Sequence, residues 1–406
     1  MSCARTESLR PRGGLDGFLE ATPARVAVGT ATDAASFSRL HQGWDDLVRA
    51  MPRPSPYLLH GWLSEWWRHY GAGRSLCVHV AFRDGKLVAA LPLCVHERFG
   101  VRVLEFMGGG ESVLADLLLA DGEDSSLAVM LAQRAATSGQ DFADLFGLSR
   151  ESRLVAALGE RAFRLVPRIE APVLDLKGSW EDAYQQMPSR RRREHRRRRR
   201  RLDALGRLEL TIARTEVELQ DALEKAFALY ALRWHGRPDN SDFVRARGKA
   251  FERAAVSALA QNGVPRIVLL ELDGRPVAFS YYFALEGRMY SHKLAFDPAF
   301  AAYSPGTLTL LDTLAAASEE GLTRVEFLGG AEPYKTEFAD HFEPLYEVVG
   351  LVGGPVGAVA LAARLGSIRL RLRLKRSRAA AWFYYRGLGA PRRLFARAQR
   401  RAADHD

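Results

Sequence analysis

"YSPGTLTLLDTLAAASEEGLTRVEFLGGAEPYK", residues 303–335, is the stretch that decides the fold. Its Pro-Gly turn at Pro305 ends a strand and opens directly into an amphipathic helix, because proline suits the first helical turn and cannot continue a strand. A glycine stops that helix, a short apolar strand follows, and three polar side chains close the stretch: Glu332, Tyr334 and Lys335. This order of elements predicts a mixed α/β unit with a site at the helix start.

The start of this helix is predicted to leave three backbone amides free, those of Gly306, Thr307 and Leu308. The first N–H groups of a helix have no partner within it, and they lie at the positive end of the helix dipole. That arrangement suits a phosphate or pyrophosphate. Ser-Pro-Gly before a helix is also a common cap, so the turn alone leaves both interpretations open.

The 406 residues suffice for two domains, and their 47% apolar and 26% charged content is typical of a soluble globular protein. The three cysteines form no CxxC pair and no H-E-x-x-H spacing occurs, so a reducing compartment and no metal are predicted. Residues 1–24 lack the apolar core of a signal peptide and are predicted to be a loose leader. No stretch approaches eighteen consecutive apolar residues, so no membrane span is predicted.

The net charge of +10 is concentrated in two basic patches. Residues 190–201 hold ten Arg against one Glu, and residues 351–406 hold thirteen Arg or Lys against two Asp. The rest of the chain is acidic, which argues against bulk nucleic-acid binding. On a helix the arginines of the run would occupy every face, so solvent and acidic groups of the body, or phosphates of a donor, lipid or tRNA, are the expected partners. The run lacks interleaved aromatic residues, which argues against reading of single-stranded RNA.

Two segments indicate an internal duplication. "SLCVHVAFRDGKLVAALPL" from Ser75 and "RIVLLELDGRPVAFSYYF" from Arg266 each read as a hairpin with an Asp-Gly turn. Each is followed by an apolar strand, a helix and a strand that ends in glycine, at Gly147 and Gly329. The first copy begins with the helices "SFSRLHQGWDDLVRAM" and "LLHGWLSEWWRHYG", and in the latter Trp62 and Trp66 lie at helical spacing and are expected in the core. The second copy contains a long helix from about residue 216 to residue 234.

Four parts of the chain resemble the CelD/BcsL-like (BioF2-like) group of GNAT acyltransferases. They are the motifs Ser-Pro-Gly-Thr and Glu-Pro-Tyr-Lys and the segments "SPYLLHGWLSEWWRHYG" and "VRVLEFMGGGESVLADLLLA". That group is related to the FemAB aminoacyl transferases, and the resemblance spans roughly residues 25–350. It implies an α/β (mixed α+β) fold of tandem GNAT-like domains, 25–176 and 177–350, each a mostly antiparallel mixed sheet flanked by helices. A basic tail, 351–406, follows.

The resemblance implies that only the second domain binds the acyl donor. In the first domain "LLLADGEDSSLAVML" replaces the donor loop, and it places Asp121, Glu123 and Asp124 where a phosphate would sit. Like charges there would repel a pyrophosphate. The first domain is therefore expected to shape the acceptor cleft.

The implied donor is acetyl-CoA or another acyl-CoA, whose thioester the acceptor amine attacks directly. The general base is expected to be Glu332 or His292, and the acid that protonates the thiolate is expected to be Tyr334 or Tyr303. Lys335 would orient an acidic acceptor. Structural roles stay open for two of these residues, a helix cap for Glu332 and a core position for His292.

Backbone groups are expected to bind the donor. Amides near Leu294, Ala295 and Phe296 would hold the oxyanion and the pantetheine, as the resemblance implies. Asp297 is expected to cap a turn. The loop expected to hold the phosphates comprises Ser304, Pro305, Gly306, Thr307 and Leu308.

These features together predict a cytoplasmic acyl-CoA-dependent N-acyltransferase, with O-acylation left open. Its acceptor would be a small molecule, saccharide or peptide of exopolysaccharide or envelope-linked biosynthesis. Two alternatives stand beside it: a Fem-like transferase that uses aminoacyl-tRNA, and a non-catalytic accessory protein of a polysaccharide synthase. The tail either covers an apolar edge of the body or contacts an anionic membrane surface or a synthase, which would make the protein peripheral at the inner membrane face.

Overall fold

The computed structural model describes residues 19–21, 26–159, 163–176, 178–234, 242–329 and 333–376. The strands are β1 Leu19–Ala21, β2 Val26–Ala31, β3 Arg74–Arg83, β4 Lys86–Arg98, β5 Val101–Phe106, β6 Leu118–Leu119, β7 Phe142–Leu148, β8 Phe163–Asp175, β9 Leu208–Ala213, β10 Pro265–Leu272, β11 Arg275–Leu285, β12 Arg288–Phe296, β13 Arg324–Glu326 and β14 His341–Gly350. The helices are α1 Ala34–Ser38, α2 His41–Arg49, α3 His60–Tyr70, α4 Ser125–Ala136, α5 Arg153–Leu158, α6 Trp180–Gln186, α7 Ser189–Asp203, α8 Glu216–Trp234, α9 Ala246–Ala260, α10 Pro305–Glu319, α11 Pro333–Thr336 and α12 Gly354–Arg376.

The strands of the described residues form one mixed sheet, in the order β1-β2-β3-β4-β5-β7-β14-β8-β13-β12-β11-β10-β9, with β6 paired to β4. The two copies, here called the first half (β2–β7) and the second half (β9–β13), join at its centre. Each half sends its next strand to the other: β8 pairs with β13, and β14 pairs with β7. The long antiparallel pairing of β8 with β14 joins the two halves at the centre of the sheet. The mixed α/β fold expected from the sequence is confirmed.

The duplicated pattern reappears in the geometry. Both predicted hairpins form, β3–β4 and β10–β11. Their turns place Asp84-Gly85 and Asp273-Gly274 at positive φ, as two-residue hairpin turns require. In both halves the strand before the helix then runs parallel to the strand after it, β5 with β7 and β12 with β13.

Four elements differ from the sequence-based expectation. The first predicted helix is two, α1 and α2, and α2 itself is kinked where Gly43 has φ +79°. Pro188 separates α6 from α7 because it cannot continue a helix. The second half has an additional helix, α9, that the pattern analysis missed. Residues 354–376 form one helix, α12, although apolar and basic residues alternate over 368–375, a period typical of a strand.

A single large core crosses the boundary between the halves. Trp62 and Trp66 are buried in it, as the helical spacing predicted, and so is Trp44. Helix α3 of the first half packs against α9 of the second, and a Cβ on Gly61 would lie only 3.1 Å from the Cβ of Ala258. The glycine therefore permits close approach of the two helices. A second core lies on the opposite face of the sheet, under α6, α7 and α10.

In the first half, the gap between β5 and β7 is filled by the chain itself. These strands pair only at Val103–Phe142 and Leu104–Ala143, and the Ala115 amide then donates to the Gly147 carbonyl at 3.1 Å. Two acidic residues of the loop before α4 also have partners: Glu123 pairs with Arg83, and Asp124 caps α4.

Replacing Gly147 by alanine is expected to destabilise the protein by about 3 kcal/mol, from left-handed strain together with overpacking. Gly147 has φ +100°, and a Cβ there would lie 2.7 Å from the Val113 carbonyl oxygen. Gly263→Ala is the matched control, since Gly263 has φ +62° with open space around it and only strain of about 1 kcal/mol applies. Urea unfolding of both variants measures the difference. Equal losses of stability in the two variants would show that the segment around Val113 shifts to accommodate the added Cβ at little cost.

Candidate active site between the two halves

The candidate site lies where β12 and β13 separate. The two parallel strands pair only from Arg288–Arg324 to Tyr290–Glu326, and no pairing follows within the described residues. On its other side β12 stays paired to β11, but the register shifts so that Tyr281 faces Lys293 and Tyr282 faces Ser291. His292 is therefore the extra residue of a β-bulge, which is a common feature beside active sites.

The bulge presents backbone to solvent. His292 as a residue is half-buried, yet its side chain is only 3% exposed, so its exposure is that of its main chain. Main-chain groups in the gap between separating strands have no ladder partner and are available to a ligand. Leu294, Ala295 and Phe296 follow in β12, paired to β11. The strand edge predicted to hold the donor thus borders the gap.

The His292 side chain points into the core between the halves. Its Nε2 lies 3.0 Å from Glu252 Oε1 on α9, and its Nδ1 lies 3.3 Å from the Tyr57 hydroxyl of the first half. A carboxylate can only accept, so the proton lies on Nε2, and Nδ1 accepts from Tyr57. Burial lowers the pKa of His292, although Glu252 opposes that effect. Burial thus favours the neutral form of the imidazole at this position.

Polar atoms of this cluster lack partners. Within the described residues the Tyr70 hydroxyl is buried without a hydrogen-bond partner, and the Tyr281 hydroxyl, also buried, has only Glu252 as a hydrogen-bonding neighbour. Burial, and next the charge of Glu252, raise the pKa of Tyr281 well above its usual value. Unsatisfied buried polar atoms cost free energy, so they are typical of sites that a ligand or water completes.

A second ionisable pair, Glu111 and Lys293, lies at the rim of the cluster. Glu111 Oε2 is 3.7 Å from Lys293 Nζ, and their side chains are 16% and 18% exposed. Burial raises the pKa of Glu111, Lys293 lowers it, and Glu252 raises it further. Glu111 is thus a carboxylate of raised pKa with access to solvent, as a general base needs.

The glycines before Glu111 position it. Gly108 and Gly109 have φ +94° and +49°, a region that favours glycine. A Cβ on Gly108 would lie 2.0 Å from Ser112 Oγ, and one on Gly109 would lie 3.0 Å from the Trp66 ring. The Gly-Gly-Gly-Glu sequence therefore turns tightly over α3 and brings a carboxylate of the first half to a strand of the second.

Two of the three backbone amides that were expected to be free at the start of α10 are hydrogen-bonded. Ser304, at φ 52°, is the N-cap, and its carbonyl accepts from the Thr307 and Leu308 amides at 3.1 and 3.2 Å. These two groups are thus not free, because the cap residue's own carbonyl satisfies them. Pro305 and Gly306 are buried, and a Cβ on Gly306 would lie 3.0 Å from the Phe296 ring of β12.

The arginine run forms helix α7, which lies beside this helix start. Arg199 binds both carboxylate oxygens of Asp312 on α10, at 2.5 and 2.6 Å. The Arg201 guanidinium lies 5.1 Å from the ring centroid of Tyr303. Acidic groups of the body are therefore among the partners of the run, as expected. Several of its arginines face solvent instead: Arg190, Arg193, Arg196, Arg197 and Arg200.

The other predicted residues have mixed outcomes. Glu332 lies outside the described residues, as does the side chain of Tyr334, whose backbone is in α11. Lys335 is buried and donates to the Gly329 carbonyl at 2.7 Å, so it fastens the chain after β13. Asp297 accepts from the Ala299 amide at 2.9 Å, which confirms the predicted turn cap.

A charged cluster below the gap ties the halves together. Glu326 at the end of β13 is fully buried and contacts Arg53 of the first half at 2.6 Å. It also contacts Arg324 at 3.0 Å and Arg288 at 3.3 Å. The Tyr290 hydroxyl donates to the Pro54 carbonyl. These contacts hold the two halves in fixed register next to the bulge.

Sequence reasoning missed Tyr57, Glu111 and Glu252. Tyr57 and Glu111 belong to two segments of the first half that carry the family resemblance, but no spacing links them to residue 292. Glu252 lies on α9, which the pattern analysis did not predict. The Gly-Gly-Gly-Glu sequence was the available signal, because a glycine run before an acidic residue is typical of a positioned loop.

Comparison with known proteins links part of the chain to a domain family. A model of the acetyltransferase (GNAT) domain matches residues 189–336. No curated protein matches the chain.

Several solved structures are similar to the chain, and the first two below share its fold. FemX is 11% identical with a TM-score of 0.55, over 76% of this chain and 95% of FemX. A conserved protein of unknown function from Bacteroides thetaiotaomicron is 11% identical with a TM-score of 0.51, over 79% and 99%. A tandem GNAT protein from the clavulanic acid biosynthesis pathway is 14% identical with a TM-score of 0.45, over 81% and 100%. Residues 189–336 therefore match the acetyltransferase (GNAT) domain family, within a fold that the chain shares with FemX.

Proposed function

We propose that the protein is an acyl-CoA-dependent N-acyltransferase whose reaction takes place in the gap between β12 and β13. The observation that supports this most directly is the exposed main chain at the His292 bulge, next to a cluster of ionisable side chains. A thioester carbonyl bound there would receive hydrogen bonds from main-chain donors that need no reorganisation.

In the proposed reaction the acceptor amine attacks the thioester carbon. A C–N bond forms and the C–S bond breaks, and the proton that the amine gives up passes through the base to the departing thiolate, which leaves as the free thiol. Glu111 is the proposed base, because its carboxylate has a raised pKa and reaches solvent at the rim of the cluster. Glu252 and Tyr57 hold His292 in one tautomer, so these residues position the bulge instead of exchanging protons with solvent.

The acceptor is proposed to enter from the first half. Glu111 and Tyr57 come from that half, and its own gap is filled by residues 113–115, so it contributes side chains without a second donor site. The acceptor is proposed to belong to exopolysaccharide or envelope-linked biosynthesis. That context rests on the sequence resemblance alone.

Placing a negative charge at the start of α10 is expected to weaken donor binding. Ser304→Asp puts a carboxylate at the N-cap, where it would repel the donor phosphates, and aspartate tolerates the left-handed backbone of this residue. Ser304→Asn has nearly the same shape without the charge and is the matched control. Calorimetric titration with acetyl-CoA at physiological salt should show a Kd raised at least about ten-fold in the aspartate variant, one unfavourable charge contact costing about 1.4 kcal/mol.

The asparagine variant should bind like the unmodified protein. Equal affinity in both variants would place the donor phosphates away from this helix. Ser304 is preferred to Gly306 for this test, since a Cβ on Gly306 would lie only 3.0 Å from the Phe296 ring.

A second candidate function, transfer from aminoacyl-tRNA, is favoured by the solvent-facing arginines of α7. Their spacing presents several guanidinium groups on one exposed surface, which suits a phosphate backbone. Failure to bind any acyl-CoA, together with tight binding of aminoacyl-tRNA, would support this candidate. The salt dependence of that binding should fall on replacing Arg193 and Arg197 by glutamine.

A further inference from the structure

Helix α12 is fastened to the body along one face. Arg364 donates to Asp144 at 2.8 Å and pairs with the buried Glu347. Ile368 is 4% exposed and packs with Val103, Phe142 and Val349. The helix begins beside the residues that precede β7, where the Gly353 amide donates to the Asp141 carbonyl at 2.8 Å. This fixes which face of α12 points outward.

The outward face of α12 is apolar. Val356, Val359 and Leu370 are 53%, 72% and 59% exposed. Ala363 and Gly366 lie between them, exposed as well. The spacing of three and four residues makes one continuous stripe along the helix. Apolar residues arranged in a stripe on a solvent-facing surface are typical of an interaction surface.

A hairpin tip lies at the same edge of the molecule. Phe99, between β4 and β5, is fully exposed at 107% relative accessibility. Val101, two residues on, packs against the small core that α12 covers. Arg98 and Arg102 flank the tip, with side chains 54% and 53% exposed.

The sequence that continues from α12 is basic, and Arg369, next to Leu370, is exposed. From residue 351 onward the sequence carries thirteen Arg or Lys against two Asp. Apolar side chains beside basic ones match a surface that is hydrocarbon within and anionic at its face. Among the described residues no helix is long and apolar enough to cross a bilayer.

We propose that the α12 stripe and Phe99 form one docking surface for an anionic lipid bilayer, on which the protein lies without spanning it. The apolar side chains would enter the boundary between headgroups and acyl chains, and the arginines would contact the lipid phosphates. This surface is separate from the β12–β13 gap, so the proposal does not depend on the reaction.

Cosedimentation of the full chain with vesicles tests the proposal. Vesicles of phosphatidylcholine alone are compared with phosphatidylcholine and phosphatidylglycerol at about 2:1, an anionic surface. The Val356→Ser/Val359→Ser/Phe99→Ser variant removes three exposed apolar groups without touching the core. Val217→Ser is the matched control, because Val217 is 82% exposed on α8 in the other half.

The unmodified protein and the control should bind the anionic vesicles, and the triple variant should partition at least about ten-fold less. Equal partitioning of the triple variant would overturn the proposal, since basic residues alone would then explain binding. Absence of vesicle binding by the unmodified protein would also overturn it. So would a dimer, seen by light scattering, that the triple substitution converts to monomer, because the stripe would then be covered by a second copy.

Discussion

Replacing Glu326 by glutamine is expected to lower the free energy of unfolding by about 3–5 kcal/mol, the cost of breaking a buried ion pair on one side. Glu326 is fully buried and is the common partner of Arg53, Arg288 and Arg324. Glutamine keeps the shape but not the charge, so three guanidinium groups would lose their shared anion in a region with little solvent. Chemical denaturation followed by circular dichroism measures the loss.

A surface pair of similar geometry is the control. Glu286 contacts Arg49 at 2.7 Å, close to the Glu326–Arg53 distance, but its side chain is 42% exposed. Glu286→Gln is therefore expected to cost under about 1 kcal/mol, as solvent screens exposed pairs. Similar losses for the two variants would mean that the Glu326 cluster is hydrated and contributes no more than a surface contact.

The Glu326 cluster also predicts that substitutions in the two halves are energetically coupled. Arg53 belongs to the first half, and Arg288 and Arg324 belong to the second, so Glu326 couples them. Arg53→Met combined with Glu326→Gln should cost less than the sum of the two single variants, because each removes the same contact. If the losses of stability were additive, Arg53 and Glu326 would not be coupled, and the effect of Glu326→Gln would arise from its contacts within the second half.

The fold could be predicted in large part because its signals are local. Asp-Gly turns, helix periodicity and the Pro-Gly start of α10 act through neighbouring residues, and the structure has these elements where the sequence places them. The exchange of β8 and β14 between the halves was not predicted. It depends on pairing between strands about 180 residues apart, and both strands carry apolar residues that fit either neighbour.

The site was predicted less well than the fold. His292 was singled out for its chemistry, yet its partners Tyr57 and Glu252 come from the loop before α3 and from α9. Their proximity arises from the packing of α3 on α9, which no local pattern encodes. The lowered pKa of His292 could not be predicted for the same reason, since burial is a property of the assembled core.

Replacing Glu111 by glutamine is expected to lower kcat/KM by about 10²–10⁴-fold, the usual contribution of a positioned general base. Acetyl-CoA affinity should stay unchanged, since Glu111 lies at the acceptor side. Glu332→Gln is run beside it, because residue 332 is the base expected from the sequence. A large loss in Glu332→Gln with a small one in Glu111→Gln would return the role to residue 332.

The pH profile separates a base from a merely structural carboxylate. Only the ionised carboxylate can accept a proton, so activity should fall as the pH drops through the raised pKa of Glu111, above the usual range of a glutamate. Glu111→Gln should remove this acidic limb, and Glu111→Asp should restore part of it.

Two neighbours are expected to move that limb in opposite directions. Lys293 lowers the pKa of Glu111 and Glu252 raises it. Lys293→Met removes a nearby positive charge, disfavours the ionised form and should shift the limb to higher pH. Glu252→Gln removes a nearby negative charge and should shift the limb to lower pH. If both variants lost activity with the limb in place, their role would be to hold the bulge at His292, and the titrating group would be another residue.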